Sequence, residues 1–118
     1  MKRSLLALGA LVLANAAFGA DFSGSWNISS KVGDNPISIV CTLLQRGDAL
    51  TGTCKPAQFD QSAVTGTSSG TRATWAYDVV FNGNPSHVEY EAALAADGTL
   101  TGTLHLGPMT TPFTAVKQ

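Results

Sequence analysis

Residues 41–54 read CTLLQRGDALTGTC, which contains a turn signal between two cysteines. Its central pair, Gly47-Asp48, begins with Gly and suits the two-residue type II′ turn of a β-hairpin. With that turn, Cys41 faces Cys54, so the turn chemistry and the cysteine spacing agree. The stretch is therefore predicted to form a hairpin that a disulfide joins. The same register sets two further inner pairs, Leu43 with Gly52 and Gln45 with Leu50.

Alternation of apolar and polar residues continues on both sides of this hairpin. Alternation with a period of two, between turn signals rich in Gly and Asn, is typical of half-buried strands. The spacing gives no helix long enough to cover a sheet. The pattern predicts eight strands, at residues 23–29, 37–45, 49–55, 63–68, 72–81, 87–95, 99–106 and 112–117.

The turns also predict how neighbouring strands are aligned, because a slip of one residue would turn the apolar face into water. A connection around Asn82-Gly83 keeps Trp75 and Tyr77 on the face that carries Tyr90. A two-residue Ser69-Gly70 turn pairs Val64 with Trp75 and Gly66 with Ala73. A three-residue Ala96–Gly98 loop pairs Leu94 with Leu100, Ala92 with Gly102 and Tyr90 with Leu104. A four-residue Gly107–Thr110 loop pairs Leu104 with Phe113 and Gly102 with Ala115.

The tripeptide Thr-Gly-Thr occurs at residues 51–53, 65–67 and 101–103, each time with Gly on the predicted inner face. Glycine inside a strand marks a bend or a close approach of another backbone. Here it is expected to let a small sheet coil around a few large rings. The prediction is an all-β fold, an eight-stranded antiparallel meander barrel with one disulfide-linked hairpin, closed by pairing of the last strand with the first. A two-sheet sandwich is the alternative.

The first 20 residues have the features of a secretory signal peptide. Lys2 and Arg3 precede an uncharged run, from Ser4 to Ala20, that is rich in Leu and Ala and ends in small residues. The run is short for a membrane span, which takes about 20 predominantly apolar residues. We expect residues 1–20 to be removed on export and residues 21–118 to form a single barrel domain without membrane insertion. The expected location is periplasmic or secreted.

Charge and cysteine usage restrict the class of protein. Residues 21–118 hold five Lys and Arg against eight Asp and Glu, without a basic cluster. A mildly acidic domain of this kind is a poor binder of nucleic acid or of anionic membranes. The two cysteines, Cys41 and Cys54, lack CxxC spacing, so in an exported chain they indicate a bridge rather than a metal site.

Three short motifs lie in the first half of the predicted domain: Gly24-Ser25-Trp26-Asn27, Ala49-Leu50-Thr51-Gly52-Thr53, and Ser69-Gly70-Thr71 followed by Trp75. Together they resemble the avidin and streptavidin family, whose barrels are related in shape to the lipocalins. The resemblance implies an eight-stranded meander with an open end that can hold a small ligand.

The biotin-binding residues of that family are replaced here. The family has a ligand-binding Asn two positions after the first-strand Trp, where this chain has Ile28. It has a ligand-binding Tyr after Leu-Thr-Gly-Thr, where this chain has Cys54. The Trp-rich later strands of the family correspond here to residues 89–92 and 100–104, which contain no Trp. The resemblance therefore implies the fold and leaves the ligand open, and biotin is not expected.

Five aromatic residues are predicted to face the interior and form the candidate ligand-binding site: Trp26, Trp75, Tyr77, Tyr90 and Phe113. Eight-stranded barrels are either filled by side chains or hold one small ligand. Small residues at inner positions, such as Gly66, Ala92 and Gly102, favour space inside. Buried tyrosine hydroxyls would need hydrogen-bond partners. A filled core and a cavity both remain open at this point.

No catalytic, metal or cofactor site is predicted. His87 and His105 are the only histidines, and Glu89 is expected to face His105 on the outer surface. Opposite charges across neighbouring strands are common sheet contacts. Catalysis would need a nucleophile or a further acid or base beside this pair, and metal binding would need a third ligand. The sequence supplies neither.

These predictions favour a non-enzymatic exported barrel that binds an apolar or aromatic small molecule. The alternative is a protein-binding module, such as a periplasmic protease inhibitor or an accessory subunit. Such a module would use its loops or the segment from Asp21 to Ser25.

Overall fold

The computed structural model describes residues 21–81 and 83–118, so the predicted signal peptide lies outside the described residues. Each strand pairs antiparallel with the next along the chain, and the last pairs with the first, which closes the sheet into a barrel. The strands of the described residues are β1 (Gly24–Val32), β2 (Asn35–Arg46), β3 (Ala49–Pro56), β4 (Ser62–Ser69), β5 (Arg72–Phe81), β6 (Asn84–Leu94), β7 (Leu100–Leu106) and β8 (Met109–Lys117). The predicted meander barrel is confirmed, and the sandwich alternative is wrong.

This architecture agrees with the lipocalin and avidin barrels at the level of the fold. Alternation places the apolar residues inside, as on β2, where Cys41 and Leu43 are buried and Thr42 and Leu44 are exposed. The buried residues form one core. None of the described residues belongs to a helix that is long and apolar enough to cross a membrane.

The hairpin from which the fold was predicted has the expected register. Cys41 lies opposite Cys54, and Arg46 pairs with Ala49 on either side of a two-residue turn. Gly47 has φ 62°, a left-handed conformation that Gly adopts without steric strain. The hairpin prediction made from residues 41–54 is therefore confirmed.

The predicted shared face of Trp75 and Tyr90 and the predicted register of β6 with β7 are also confirmed. β5 and β6 place Trp75 opposite Tyr90. β6 and β7 place Tyr90 opposite Leu104, as the three-residue Ala96–Gly98 loop predicted. Gly98 has φ 87°, as a left-handed position in that loop requires.

Two predicted registers are wrong by two residues. Gly66 pairs with Trp75, and the turn between β4 and β5 consists of Gly70 and Thr71. Gly102 pairs with Phe113, and Gly107 and Pro108 form the turn between β7 and β8.

Both errors have one physical cause. Gly70 and Gly107 each take the first position of a two-residue turn with φ 60°, which disfavours residues that carry a Cβ. Pro108 follows Gly107 with a φ that its ring fixes near about −65°, which suits the second position of a type II′ turn. Because a slip of two residues preserves the faces of a strand, the predicted inner residues remain inside.

The three Thr-Gly-Thr glycines are positions of close backbone approach. A Cβ atom at Gly52, Gly66 or Gly102 would overlap the backbone carbonyl oxygen of Thr42, Thr74 or Glu91 respectively. The predicted coiling role agrees with this contact. The expectation that these glycines leave space inside is wrong, because the neighbouring strand occupies the place of each missing side chain.

Candidate functional site

The two ends of the barrel differ. In an antiparallel meander, the connections at residues 33–34, 57–61 and 107–108 lie at one end together with the turn at Gly83, and we call this end the rim. Phe59, Val80 and Met109 belong to or adjoin these connections and are exposed apolar side chains. Behind them, partly buried residues pack against the core: Ile37, Val79, Leu94 and Leu106. Of these, all but Leu94 lie on the parts of their strands near the rim.

The opposite end is covered by the segment before β1. Phe22 is fully buried there, and its backbone N–H donates to Gln45 Oε1 at 2.8 Å. The Trp26 indole Nε1–H donates to the backbone oxygen of Phe22 at 2.9 Å. Gln45 also donates through Nε2 to Ser68 Oγ at 3.1 Å. The alternation of apolar residues did not predict Phe22 as a core residue, although its position four residues before Trp26 places both aromatic rings near the start of β1.

The disulfide lies on the inner face of the sheet, near the end that Phe22 covers. Cys41 and Cys54 are bonded across β2 and β3, with their Cα atoms 4.0 Å apart, and neither residue is exposed to solvent. Trp26 is the β1 partner of Cys41. The predicted bridge is confirmed. Because the bridge is buried in the barrel interior, it is a structural cross-link.

Four of the five predicted site residues form one cluster with Tyr90 at its centre. The Trp75 and Tyr90 rings stack with centroids 5.2 Å apart and planes 13° apart. Phe113 meets Tyr90 edge to face with centroids 5.6 Å apart. The Tyr77 ring lies 5.9 Å from the Tyr90 ring. We call these four residues the aromatic cluster.

Trp26, the fifth predicted site residue, makes no ring-to-ring contact with the aromatic cluster among the described residues. Its ring lies beneath Lys117, with Nζ 5.1 Å from the ring centroid. With its indole N–H bound to the Phe22 oxygen, Trp26 is a fully partnered residue of the closed end. The structure therefore separates it from the other four.

The two tyrosines of the cluster bond to each other. Tyr77 Oη and Tyr90 Oη are 2.9 Å apart in the buried interior. Burial raises the pKa of both phenols above the ordinary value. In Tyr90, the neighbouring Tyr77 hydroxyl raises the pKa further. Both hydroxyls are therefore protonated at neutral pH, and one of the two protons is enough to make the bond between them.

Trp75 differs from Trp26 in its polar group. The residue is 1% exposed, and its indole Nε1 has no hydrogen-bond partner among the described residues. A buried N–H without an acceptor carries a desolvation penalty of about 1–3 kcal/mol. Sequence patterns cannot reveal this feature, because it depends on which groups lie across the barrel.

The outer surface carries an acid and histidine network that differs from the predicted pair. Glu89 and His105 are opposed on β6 and β7, as expected. His105 Nε2 instead lies 3.3 Å from Glu91 Oε2, a contact that lacks hydrogen-bond geometry. His87 Nδ1 lies 2.8 Å from Asp78 Oδ1, and its Nε2 lies 3.8 Å from Glu89 Oε1.

These side chains are partly or largely exposed, so each pair is a weak surface contact. Within residues 21–81 and 83–118, no three His, Cys, Asp or Glu side chains are grouped so that they could hold a metal ion. The aromatic cluster remains as the candidate site: its rings are buried against one another, and its Trp75 N–H has no partner among the described residues.

Comparison of the chain with protein-family models gives no match, and comparison with curated proteins gives none either.

Proposed function

We propose that residues 21–118 form an exported, non-catalytic carrier or sensor that binds an apolar or aromatic small molecule in the barrel interior. The observation that carries the proposal is the aromatic cluster, in which a stacked Trp75 and Tyr90 lie beside the Tyr77 hydroxyl. Flat apolar ligands bind through such aromatic faces, with a few polar groups fixing their orientation.

The asymmetry of the barrel gives the direction of approach. Phe22 covers one end and is fully buried. Tyr77, at 5%, is the most exposed member of the aromatic cluster, and it lies toward the rim on β5. A ligand that crosses the rim passes Val79 and then meets Tyr77.

The buried disulfide supports export. Cys41 and Cys54 are bonded, and stable disulfides form in oxidising compartments. Together with the signal features of residues 1–20, this bond makes a periplasmic or secreted location part of the proposal.

Titration with the fluorescent apolar probe N-phenyl-1-naphthylamine tests the function. The exported protein should bind it saturably with a stoichiometry of one. Val79→Trp should abolish binding by filling the path behind the rim. Val116→Trp is the matched control, because Val116 is 52% exposed on the outer wall, and it should bind as the wild type does. Absence of saturable binding, or equal binding by both variants, would contradict the proposal.

A second candidate function is protein binding, favoured by the exposed apolar side chains of Phe59, Val80 and Met109 at the rim. The segment from Asp21 to Ser25 is a weaker candidate surface, because Phe22 is buried and Ser23 Oγ accepts a hydrogen bond from the Gln45 backbone N–H. Native mass spectrometry of the protein isolated from its exported fraction separates the two functions. A small-molecule adduct favours the carrier, and a stoichiometric polypeptide favours the protein-binding module.

A further inference from the structure

The interior of the barrel has more hydrogen-bond donors than acceptors at the aromatic cluster. Trp75 Nε1–H is a donor only, and it has no acceptor among the described residues. The Tyr77 and Tyr90 hydroxyls carry two protons, of which their mutual bond uses one. The N–H of Trp75, a residue that is 1% exposed, therefore lacks an acceptor among the described residues, and the bond between the two tyrosines leaves one phenol proton over.

We propose that the ligand carries an uncharged hydrogen-bond acceptor, such as the oxygen of a ketone, aldehyde, ester or amide, and that the Trp75 indole N–H donates to it. This inference rests on the proposed function and names its ligand class: a flat apolar molecule with one carbonyl-type oxygen. The spare proton of the Tyr77–Tyr90 pair is a second donor within the same cluster.

The acceptor is uncharged because the described interior contains no cation to pair with an anion. Every described Lys and Arg is exposed, and neither histidine is buried. Lys117 lies over the Trp26 ring, outside the aromatic cluster. An ionised carboxylate at Trp75 would lose its hydration without a counter-charge, which is far more costly than burying a neutral carbonyl.

The flat apolar part of the ligand follows from the geometry of the cluster. Trp75 and Tyr90 stack on each other, and Phe113 presents its edge to Tyr90, so a ligand ring would pack beside these rings rather than between them. Aromatic rings favour offset-stacked or edge-to-face neighbours at these separations. An aromatic ketone combines a ring for these faces with an oxygen for Trp75 Nε1.

Two probes of nearly equal shape test this inference. 2-Acetylnaphthalene carries the carbonyl oxygen, and 2-isopropylnaphthalene replaces it with a methyl group. Their Kd values are measured by calorimetry on the wild-type protein and on Trp75→Phe. We expect the preference for the ketone to fall by about 2- to 10-fold in the variant, which is the range for one neutral hydrogen bond.

The wild-type protein gives a second readout that does not depend on the variant. The chain has two tryptophans, so its proton–nitrogen NMR spectrum has two indole resonances. The Trp75 resonance should move downfield with the ketone and not with the hydrocarbon. The Trp26 resonance is the internal control, because its N–H is already bonded to the Phe22 oxygen.

The outcomes separate this inference from the function on which it rests. If both probes bind and neither the Trp75 resonance nor the Trp75→Phe variant distinguishes them, the carrier function stands and the acceptor inference is wrong. A water molecule as the partner of Trp75 would give that same result. If neither probe binds saturably, the proposed function is wrong and the inference falls with it.

Discussion

The two sides of the barrel interior are built differently. The disulfide side, on β1 to β3, holds the covalent Cys41–Cys54 bridge and Trp26, whose N–H is bonded to Phe22. The aromatic side, on β5, β6 and β8, holds the aromatic cluster, whose Trp75 N–H has no partner among the described residues. Fully paired polar groups and a cross-link serve stability, whereas an unpaired buried donor is a stability penalty that a ligand can remove. Under the proposed function, the disulfide side serves stability and the aromatic side binds the ligand.

The largest predicted effect tests whether neighbouring strands approach equally closely on the disulfide side and on the aromatic side. Gly102→Leu should lower the free energy of unfolding by about 4 kcal/mol or more, because its side chain would overlap the Glu91 carbonyl oxygen. Gly52→Leu should be equally damaging, because of the Thr42 carbonyl oxygen. Thr103→Leu, beside Gly102, should lower it by less than about 1 kcal/mol.

Urea unfolding followed by circular dichroism measures all three variants. If Gly102→Leu were tolerated and Gly52→Leu were not, the strands of the aromatic side would pack less closely than those of the disulfide side. If Thr103→Leu were the most damaging, the inner and outer faces would be reversed.

Removal of the cross-link should affect stability and leave the aromatic side intact. The double variant Cys41→Ala, Cys54→Ala should lose about 3 kcal/mol of unfolding free energy, as expected for a bridge that closes a loop of this size. The near-ultraviolet circular dichroism of the aromatic cluster and the binding of N-phenyl-1-naphthylamine should persist. Thiol titration of the native wild type should find no free thiol. Loss of probe binding in a folded double variant would show that the two sides do not have separate roles.

The two tryptophans give the sharpest internal comparison. Trp26→Phe removes an N–H that is hydrogen-bonded and leaves the Phe22 carbonyl oxygen without that bond. Trp75→Phe makes the same change in side-chain size but removes an N–H that has no partner among the described residues. Trp26→Phe should therefore lower the unfolding free energy by about 1–2 kcal/mol more than Trp75→Phe does. Equal losses in urea unfolding would remove the distinction between the two sides.

The last predicted effect concerns pH and appears only in alkaline solution. Tyr77 and Tyr90 are the only tyrosines, and burial raises the pKa of each in the folded state. Above about pH 10 the unfolded chain releases phenol protons that the folded chain retains, so stability present below that pH is lost as the pH rises. The decrease should reach about 1.4 kcal/mol per pH unit for each tyrosine. Tyrosinate absorbance at pH 10.5 in the folded protein would show that water reaches the pair.

The sequence predicted the parts of this fold that depend on local chemistry. Residues 41–54 combine a Gly-first turn with cysteines at matched positions, and both features act over a short range. The Gly70-Thr71 and Gly107-Pro108 turns were missed because a slip of two residues leaves the inner face unchanged, so hydrophobic patterning cannot detect it.

The candidate site was predictable only in part. Alternation placed Trp75, Tyr77, Tyr90 and Phe113 inside, and the structure brings them together. It could not distinguish Trp26 from the other four, because both tryptophans have the same inward position on their strands. Their difference arises from Phe22, which folds over one end of the barrel.

We propose that the aromatic side binds a small molecule and that the disulfide side does not. Backbone amide shifts of the wild-type protein, mapped by NMR during titration with N-phenyl-1-naphthylamine, test it most directly. We predict saturable shifts at Trp75, Tyr77 and Tyr90, with those of Trp26 and Cys41 unchanged. Shifts confined to the exposed outer wall, or the absence of any saturable shift, would contradict the claim.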